Sequence, residues 1–303
     1  MIIFSMDDKG NYVATEQFTE RIMQHNDSLI DKFIALKKLE GCSHTTLRSY
    51  YDTMKQLSLH IGKRFEEMTV GDIRIFLSNY QIMRQIKNRT IDNMRRTYSS
   101  FFNYLEEEDI IIKNPIRKIH KIKSEISIQR PFDDEDIIKI QDACKTIRDR
   151  AMIDFLYSSG VRVSELSAMN ITDICMETRE GVVFGKGSKE RVIYFDARTK
   201  VHLQIYLDKR IDNNPALFVT KKEPYERISK TGIEYVVSKI GMIAGVEKCH
   251  PHRFRRTLAT RLIDRGVPIE QVQKILGHTK IDTTLIYAEV NQGNVKMNHS
   301  KFA

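Results

Sequence analysis

The side chains that could do chemistry together crowd toward the C-terminal end of this 303-residue chain. His252 and Arg255 stand three apart in His250-Pro251-His252-Arg253-Phe254-Arg255-Arg256-Thr257-Leu258-Ala259-Thr260. Residues at that spacing share one face of a helix, so an imidazole and a guanidinium can reach one target together. A guanidinium donates bidentate, charge-assisted bonds from a planar fork, which suits anionic oxygens. Leu276-Gly277-His278 and Asp282-Thr283-Thr284-Leu285-Ile286-Tyr287 follow, adding a second imidazole and a phenol. Any one of these is ordinarily a surface group or a packed ring; the ordered set carries the weight.

Positioning them requires several short helices. Pro251 suits a helix start, where its missing N–H costs nothing, and Phe254, Leu258 and Leu262 then recur every four residues as one buried stripe. Gly266 and Pro268 break the chain. Ile269, Val272, Ile275 and Leu276 form a short apolar helix capped by Gly277, so that His278 projects from a helix end. Asp282 is a good N-cap for the next helix, which carries Tyr287.

Upstream, Phe132-Asp133-Asp134-Glu135-Asp136 places acids at a helix's positive end, and a helix over 151–157 ends at Ser158-Ser159-Gly160. Arg162 follows this glycine turn and opens another helix, for which Ser164 is the expected cap. Residues 171–176, 181–185 and 191–195 alternate as three short strands. A helix over 197–209, a strand over 217–220 and a helix over 228–244 complete this half. Gly185-Lys186-Gly187 is not a phosphate-binding loop, because Gly181 is one residue too close and Gly187 stands where Ser or Thr is needed.

The first half reads as a small all-α bundle. Residues 1–24 are uninformative beyond a turn at Asp8-Lys9-Gly10-Asn11 between two extended runs. Asp27 is the expected cap of a first helix with Leu29, Ile30, Phe33, Ile34 and Leu36. Ser43 caps a second that ends at Gly62, and Thr69 precedes a third. A fourth starts near Asn88 and ends in Glu106-Glu107-Glu108. Two helix starts collect hydroxyls, amides and basic groups: Ser43, His44, Thr45 and Arg48, then Lys87, Asn88, Arg89 and Thr90. Such N-termini suit phosphate, and equally suit plain solvated helix ends. Residues 113–130 read as an extended basic linker, either tracking a phosphate backbone or merely connecting.

A net charge of +9 favours a polyanionic partner without separating DNA from RNA or a membrane surface. The N-terminal apolar run is too short for a signal peptide and no long apolar span follows, so neither secretion nor a membrane partner is expected. Cys42, Cys144, Cys175 and Cys249 have no C-x-x-C spacing, which implies reduced thiols in a cytoplasm, with association to the nucleoid if the polyanion is DNA. Cys249-His250-Pro251-His252 lacks a second ligand pair at zinc-like spacing, so no metal and no cofactor is expected.

H-x-x-R (His252, Arg255), then L-G-H, then a Tyr a few helical turns later resembles the second and third boxes of the tyrosine recombinase (phage integrase) family. Val161-Arg162-Val163-Ser164-Glu165-Leu166 after Gly160 resembles its first box, G-x-R-x-S-E-L, and Gly185-Lys186-Gly187-Ser188-Lys189-Glu190-Arg191 its β-hairpin lysine segment. In the first half, Ser43, Thr46, Leu47 and Tyr50, then Thr69, Asp72 and Ile73, then Ser99 to Leu105 and Asn114-Pro115, look like the family's core-binding domain. After the second-box Arg many relatives carry His where this chain has Arg256, which adds charge beside the site and removes no matched residue.

The resemblance, spanning about residues 25–290, implies a mainly α fold with a small antiparallel β-sheet. An N-terminal segment (1–24) would precede a four-helix SAM-like core-binding domain (25–112). The linker (113–130), an α+β catalytic domain (131–290) and a C-terminal tail (291–303) would follow. It implies a site-specific recombinase that cleaves and rejoins DNA through a 3′-phosphotyrosyl intermediate, compact and Xer-like or borne by a mobile element. Arg162 and Arg255, assisted by His252 and His278, would clamp the phosphate, and Tyr287 would attack it. His252 is a candidate for accepting the tyrosine proton, and Lys186 (or Lys189) would protonate the leaving oxygen. Partners would be double-stranded DNA with paired core sites and further copies of the chain, two per site and four in a synapse. Accessory DNA-bending or directionality proteins are an open addition. A type IB topoisomerase and a catalytically retired DNA-binding regulator are the competing readings.

Overall fold

The computed structural model describes residues 4–6, 12–14, 16–123, 130–185 and 190–277, with side chains from residue 20 onward. The chain divides into two compact units, Met1–Ser127 and Ile128–Ala303.

In the first unit β1 (Phe4–Met6) pairs antiparallel with β2 (Tyr12–Ala14). Four helices follow: α1 (Glu16–Leu39), α2 (His44–Ile61), α3 (Val70–Arg84) and α4 (Asn88–Glu107). Their apolar faces close on Phe33, Met54, Leu57, Phe65, Ile73, Tyr98, Phe101 and Phe102, all fully buried. Phe101 is the hub, edge-on to Phe33 at 5.3 Å and to Phe65 at 4.7 Å, the geometry that aromatic quadrupoles favour. The expected caps at Ser43, Gly62 and Thr69 are present. Ser43 accepts the Thr46 N–H, Gly62 adopts φ +67°, and Thr69 with Asp72 forms a reciprocal capping box.

Asp27 does not begin a helix. α1 already runs from Glu16, and Asp27 sits mid-helix, ion-paired to Lys55 of α2. A boundary at residue 24 or 25 therefore falls inside a continuous helix. What holds that stretch is the fully buried Asn26, whose amide donates to Ser58 Oγ at 2.8 Å and to Lys63 O at 2.9 Å.

The extended linker expected over 113–130 is not extended through 123. Residues 115–118 form a 3₁₀ turn, and Asn114 and Ile116 are buried. The Asn114 amide accepts from Ile116 N–H at 2.7 Å and donates to Asn103 Oδ1 at 2.7 Å. Farther along, Ile122 N–H donates to the buried carboxylate of Asp92. Isoleucines 116, 119 and 122, spaced by three, dock the segment on the bundle while its Lys and Arg stay outside.

The second unit is built around α6 (Ile147–Ser159), flanked by α5 (Asp134–Asp142) and α8 (Ala197–Asp208). Ala151, Met152, Ile153, Phe155 and Leu156 are all buried, and so are Arg148, Asp149 and Asp154, so α6 is enclosed nearly all round, with Asp149 paired to Arg148 and Lys221 and Asp154 to Arg150. α7 (Val163–Ala168), α9 (Lys230–Ile243), α10 (Pro251–Asp264) and α11 (Ile269–Leu276) complete the α-helices among the described residues. The antiparallel sheet runs β3 (Ile174–Cys175), β4 (Glu180–Phe184) and β5 (Glu190–Tyr194), in that order.

Three local expectations change. The first strand loses 171–173 to a 3₁₀ turn. The strand over 217–220 is an extended loop joined by single bridges, Asn170 with Ala216 and Val219 with Arg227. Ser164 is not the cap of α7: Arg162 occupies that position and Glu165 accepts its N–H at 2.8 Å. A carboxylate three residues into the helix outcompetes a hydroxyl within it, because it meets an N–H at the helix's positive end.

Candidate active site

Gly160 ends α6 in the left-handed conformation at φ +59°, so the chain turns sharply into Arg162. Pro251 begins α10 as expected, placing His252 in its first turn and Arg255 on the next. Arg162, His252 and Arg255 thereby line one cleft of about 890 Å³, with Lys230, Glu234 and His250 on its walls.

The two guanidiniums are fixed by carbonyl oxygens rather than by packing alone. Arg255, 2 % exposed, donates from Nη1 to Gly160 O at 2.6 Å and from Nη2 to Leu276 O. Arg162 donates from Nη2 to Gly277 O at 2.8 Å and from Nη1 to Glu165 Oε1 at 2.7 Å. A third arginine completes the set: Arg191 of β5 donates from Nη1 to Ile275 O at 2.9 Å and from Nη2 to Glu165 Oε2 at 2.7 Å. Carbonyls 275 and 276 end α11 and carbonyl 277 belongs to its cap, where a helix supplies no donor of its own. Three guanidiniums from three separate elements satisfy them and meet the helix's negative end. Holding a guanidinium by two donors also sets the plane in which its remaining donors point.

Electrostatics follow from this packing. Burial alone would push the Glu165 carboxyl up. Hydrogen bonds from Arg162 together with the charge of Arg191 outweigh it and hold the group below the usual carboxylate range. At His252 partial burial of the ring, then the nearby charges of Arg255, Arg162, Arg256 and Lys230, hold the imidazole below its ordinary value although the residue reaches solvent. It is therefore neutral at pH 7 and able to accept a proton. Burial pushes the Cys249 thiol up to about 12, so it is packed against Gly241 as a thiol rather than poised as a thiolate ligand. Among the described residues no group of three or more His, Cys, Asp and Glu side chains is placed to hold a metal ion.

Of the six residues expected to act together, Arg162, His252 and Arg255 converge; Lys186, His278 and Tyr287, with the alternative Lys189, lie outside the described residues. β4 ends at Phe184 and β5 starts at Glu190, so both sides of Lys186 and Lys189 are described, and α11 with its cap Gly277 leads up to His278. All eight candidate phosphate contacts of the first unit are exposed. Ser43 already caps α2, while Asn88 holds the docked segment by donating to Lys123 O at 2.8 Å. Glu165 and Arg191 went unrecognised as site residues in the sequence. Arg191 had a readable signal: it shares strand parity with Ile193, so an inward charge needed a buried partner.

Residues 130–294 match the model of the phage integrase family, and residues 29–112 match that of the phage integrase N-terminal SAM-like domain. The chain is 32% identical over 274 residues to tyrosine recombinase XerC of Staphylococcus aureus (strain bovine RF122 / ET3-1), covering 86% of this chain and 91% of the relative. To XerC of Staphylococcus epidermidis (strain ATCC 12228 / FDA PCI 1200) it is 30% identical over 284 residues, covering 89% and 95%. In fold it is similar to the Tn1549 transposon integrase in complex with a circular intermediate DNA (TM-score 0.74, 18% identity, 93% of this chain and 99% of that one). It is also similar to a lambda integrase dimer bound to a COC′ core site (TM-score 0.71, 18% identity, 84% and 95%).

Proposed function

The chain belongs to the phage integrase family of tyrosine recombinases and is a site-specific DNA breaking-and-rejoining enzyme, and from that premise we propose a metal-free phosphotyrosyl mechanism for it. The observation that carries the proposal is the pair of guanidiniums, Arg162 and Arg255, anchored on adjacent carbonyls and lining one cleft with His252.

In this mechanism Arg162 and Arg255, with His278, hold the two non-bridging oxygens of the scissile phosphate and stabilise the charge that builds on them. The Tyr287 oxygen attacks phosphorus in line with the departing 5′ oxygen, and its proton passes to His252. Lys186, or Lys189 if the hairpin register differs, gives a proton to that 5′ oxygen as its bond to phosphorus breaks. The 3′-phosphotyrosyl ester conserves the bond energy, so a 5′-hydroxyl from another strand can reverse the sequence without a nucleotide cofactor. Exchange between two duplexes calls for two protomers on each, hence a four-protomer synapse on paired core sites. Accessory DNA-bending proteins would act outside this chemistry. Ser43, His44, Thr45, Arg48, Lys87, Asn88, Arg89 and Thr90 would grip phosphates from the first unit. Their common exposure at two helix starts supports that role.

A duplex nicked just beyond the scissile phosphate sheds a short fragment on cleavage and cannot be resealed. Wild-type protein, in EDTA, should accumulate on it as a detergent-stable adduct removed by protease. Tyr287→Phe should bind the same duplex with similar affinity and give no adduct, because only the attacking oxygen is gone. An adduct that persists in Tyr287→Phe and maps to another tyrosine would overturn the assignment.

A further inference from the structure

Arg191 sits where a strand of this pattern should carry an apolar residue. It pairs in register with Val183 and shares the inner face of the sheet with Ile193, both buried. Its side chain is only 11% exposed, and an inward charge of this kind is costly unless paired. Gly277 makes room for it. At φ +64° this residue lies flat on the arginine, and a Cβ there would collide with Arg191 Cδ and stand 2.8 Å from Nε.

The pairing has an electrostatic consequence for the clamp. Glu165 is buried against Arg162, bonded to both its backbone N–H and its guanidinium. With that carboxylate as its sole neighbour, Arg162 would be neutralised before any phosphate arrived. Arg191 shares the same carboxylate, so two guanidiniums on one anion leave one positive charge for the cleft. Resting on the recombinase reading of this cleft, we infer that Arg191 is a positioning residue which keeps the charge of Arg162 available to the scissile phosphate. Through Ile275 O it also ties the hairpin that carries Lys186 to the end of α11 that leads into His278.

Charge balance predicts a rescue that a merely structural role does not. Arg191→Met should lower adduct formation on the nicked duplex by on the order of a hundredfold. It should also reduce the slope of log affinity against log salt by about one phosphate contact. Adding Glu165→Gln removes the anion that would then neutralise Arg162, while keeping an acceptor for the Arg162 N–H. The double variant should regain roughly tenfold in adduct formation and the wild-type salt slope. Arg191→Lys retains the charge but cannot reach both Glu165 and Ile275 O from one nitrogen. It should keep the salt slope and lose only part of the rate. Thermal melting identifies any variant that fails to fold, and if Arg191→Met does, the Lys variant decides by its salt slope alone. A double variant no better than Arg191→Met in both readouts, or a reduced slope in Arg191→Lys, overturns the inference. Absence of an adduct in wild-type protein would instead sink the phosphotyrosyl mechanism, and the salt slopes would still judge Arg191.

Discussion

At His252 the surroundings lower the proton affinity of the imidazole. The group's proton affinity is lowered by partial burial and by four cationic neighbours, so its neutral form persists below pH 6.5. If it accepts the Tyr287 proton, adduct formation should stay level from pH 8 down past 6.5 and fall only as the lowered pKa is crossed. Lys230→Gln removes one of the cations, raises the His252 pKa, and should move that acidic fall toward higher pH. Initial rates between pH 5 and 8 check this: wild type and variant should share a pH dependence above 7, with the acid limb of the variant displaced toward higher pH. Identical acid limbs would remove His252 as the acceptor. The three arginines show a second lesson at this scale. Each carries a charge, but only Arg162 and Arg255 reach the cleft, while Arg191 works from behind.

Among the elements, the segment after α4 is the one whose character changes most. Its composition is basic and its sequence looks like a connector, yet every third residue is an isoleucine that packs on the bundle, and Asn114 closes the turn that starts it. Asn114→Ala would leave the Ile116 N–H buried without a partner, at a cost of about 1–3 kcal/mol. The first unit should then melt several degrees lower while the cleft of the second is untouched. Differential scanning calorimetry of the whole chain would resolve the shift, and an unchanged melting profile would mean water replaces the amide.

For the whole molecule, two separate cores and a net charge of +9 predict divided labour. Residues 1–127, which bury their own core, should bind duplex DNA weakly, and the full chain more tightly. Both affinities should fall steeply with salt, because each phosphate contact releases counterions. A salt-independent affinity would mean the positive surface does not meet phosphate. On a cognate duplex, sedimentation of the full chain should show stepwise species up to four protomers. Full activity as a monomer would favour strand relaxation in the manner of a type IB topoisomerase. No helix among the described residues is long and apolar enough to cross a membrane.

Local signals in the chain were sufficient for the helices and most of their ends. Caps at Ser43, Thr69, Gly160 and Gly277 and the proline at 251 act within one turn, so their chemistry is written in neighbouring residues. The pairing of His252 with Arg255 was equally local, being a spacing of three on a helix. What the sequence left open depends on partners far apart along it. Asp27 looks like a cap until Lys55, 28 residues on, claims it, and the segment from 113 looks free until the face of the bundle is present. The same holds for the arginine cage: carbonyls 275 to 277 become its anchor only when α11, α10, β5 and the turn after α6 converge, at separations of 21 to 115 residues. A sequence carries the charges, but which of them a buried carboxylate shares is decided by tertiary contact, because the interaction depends on distance and burial rather than on order along the chain.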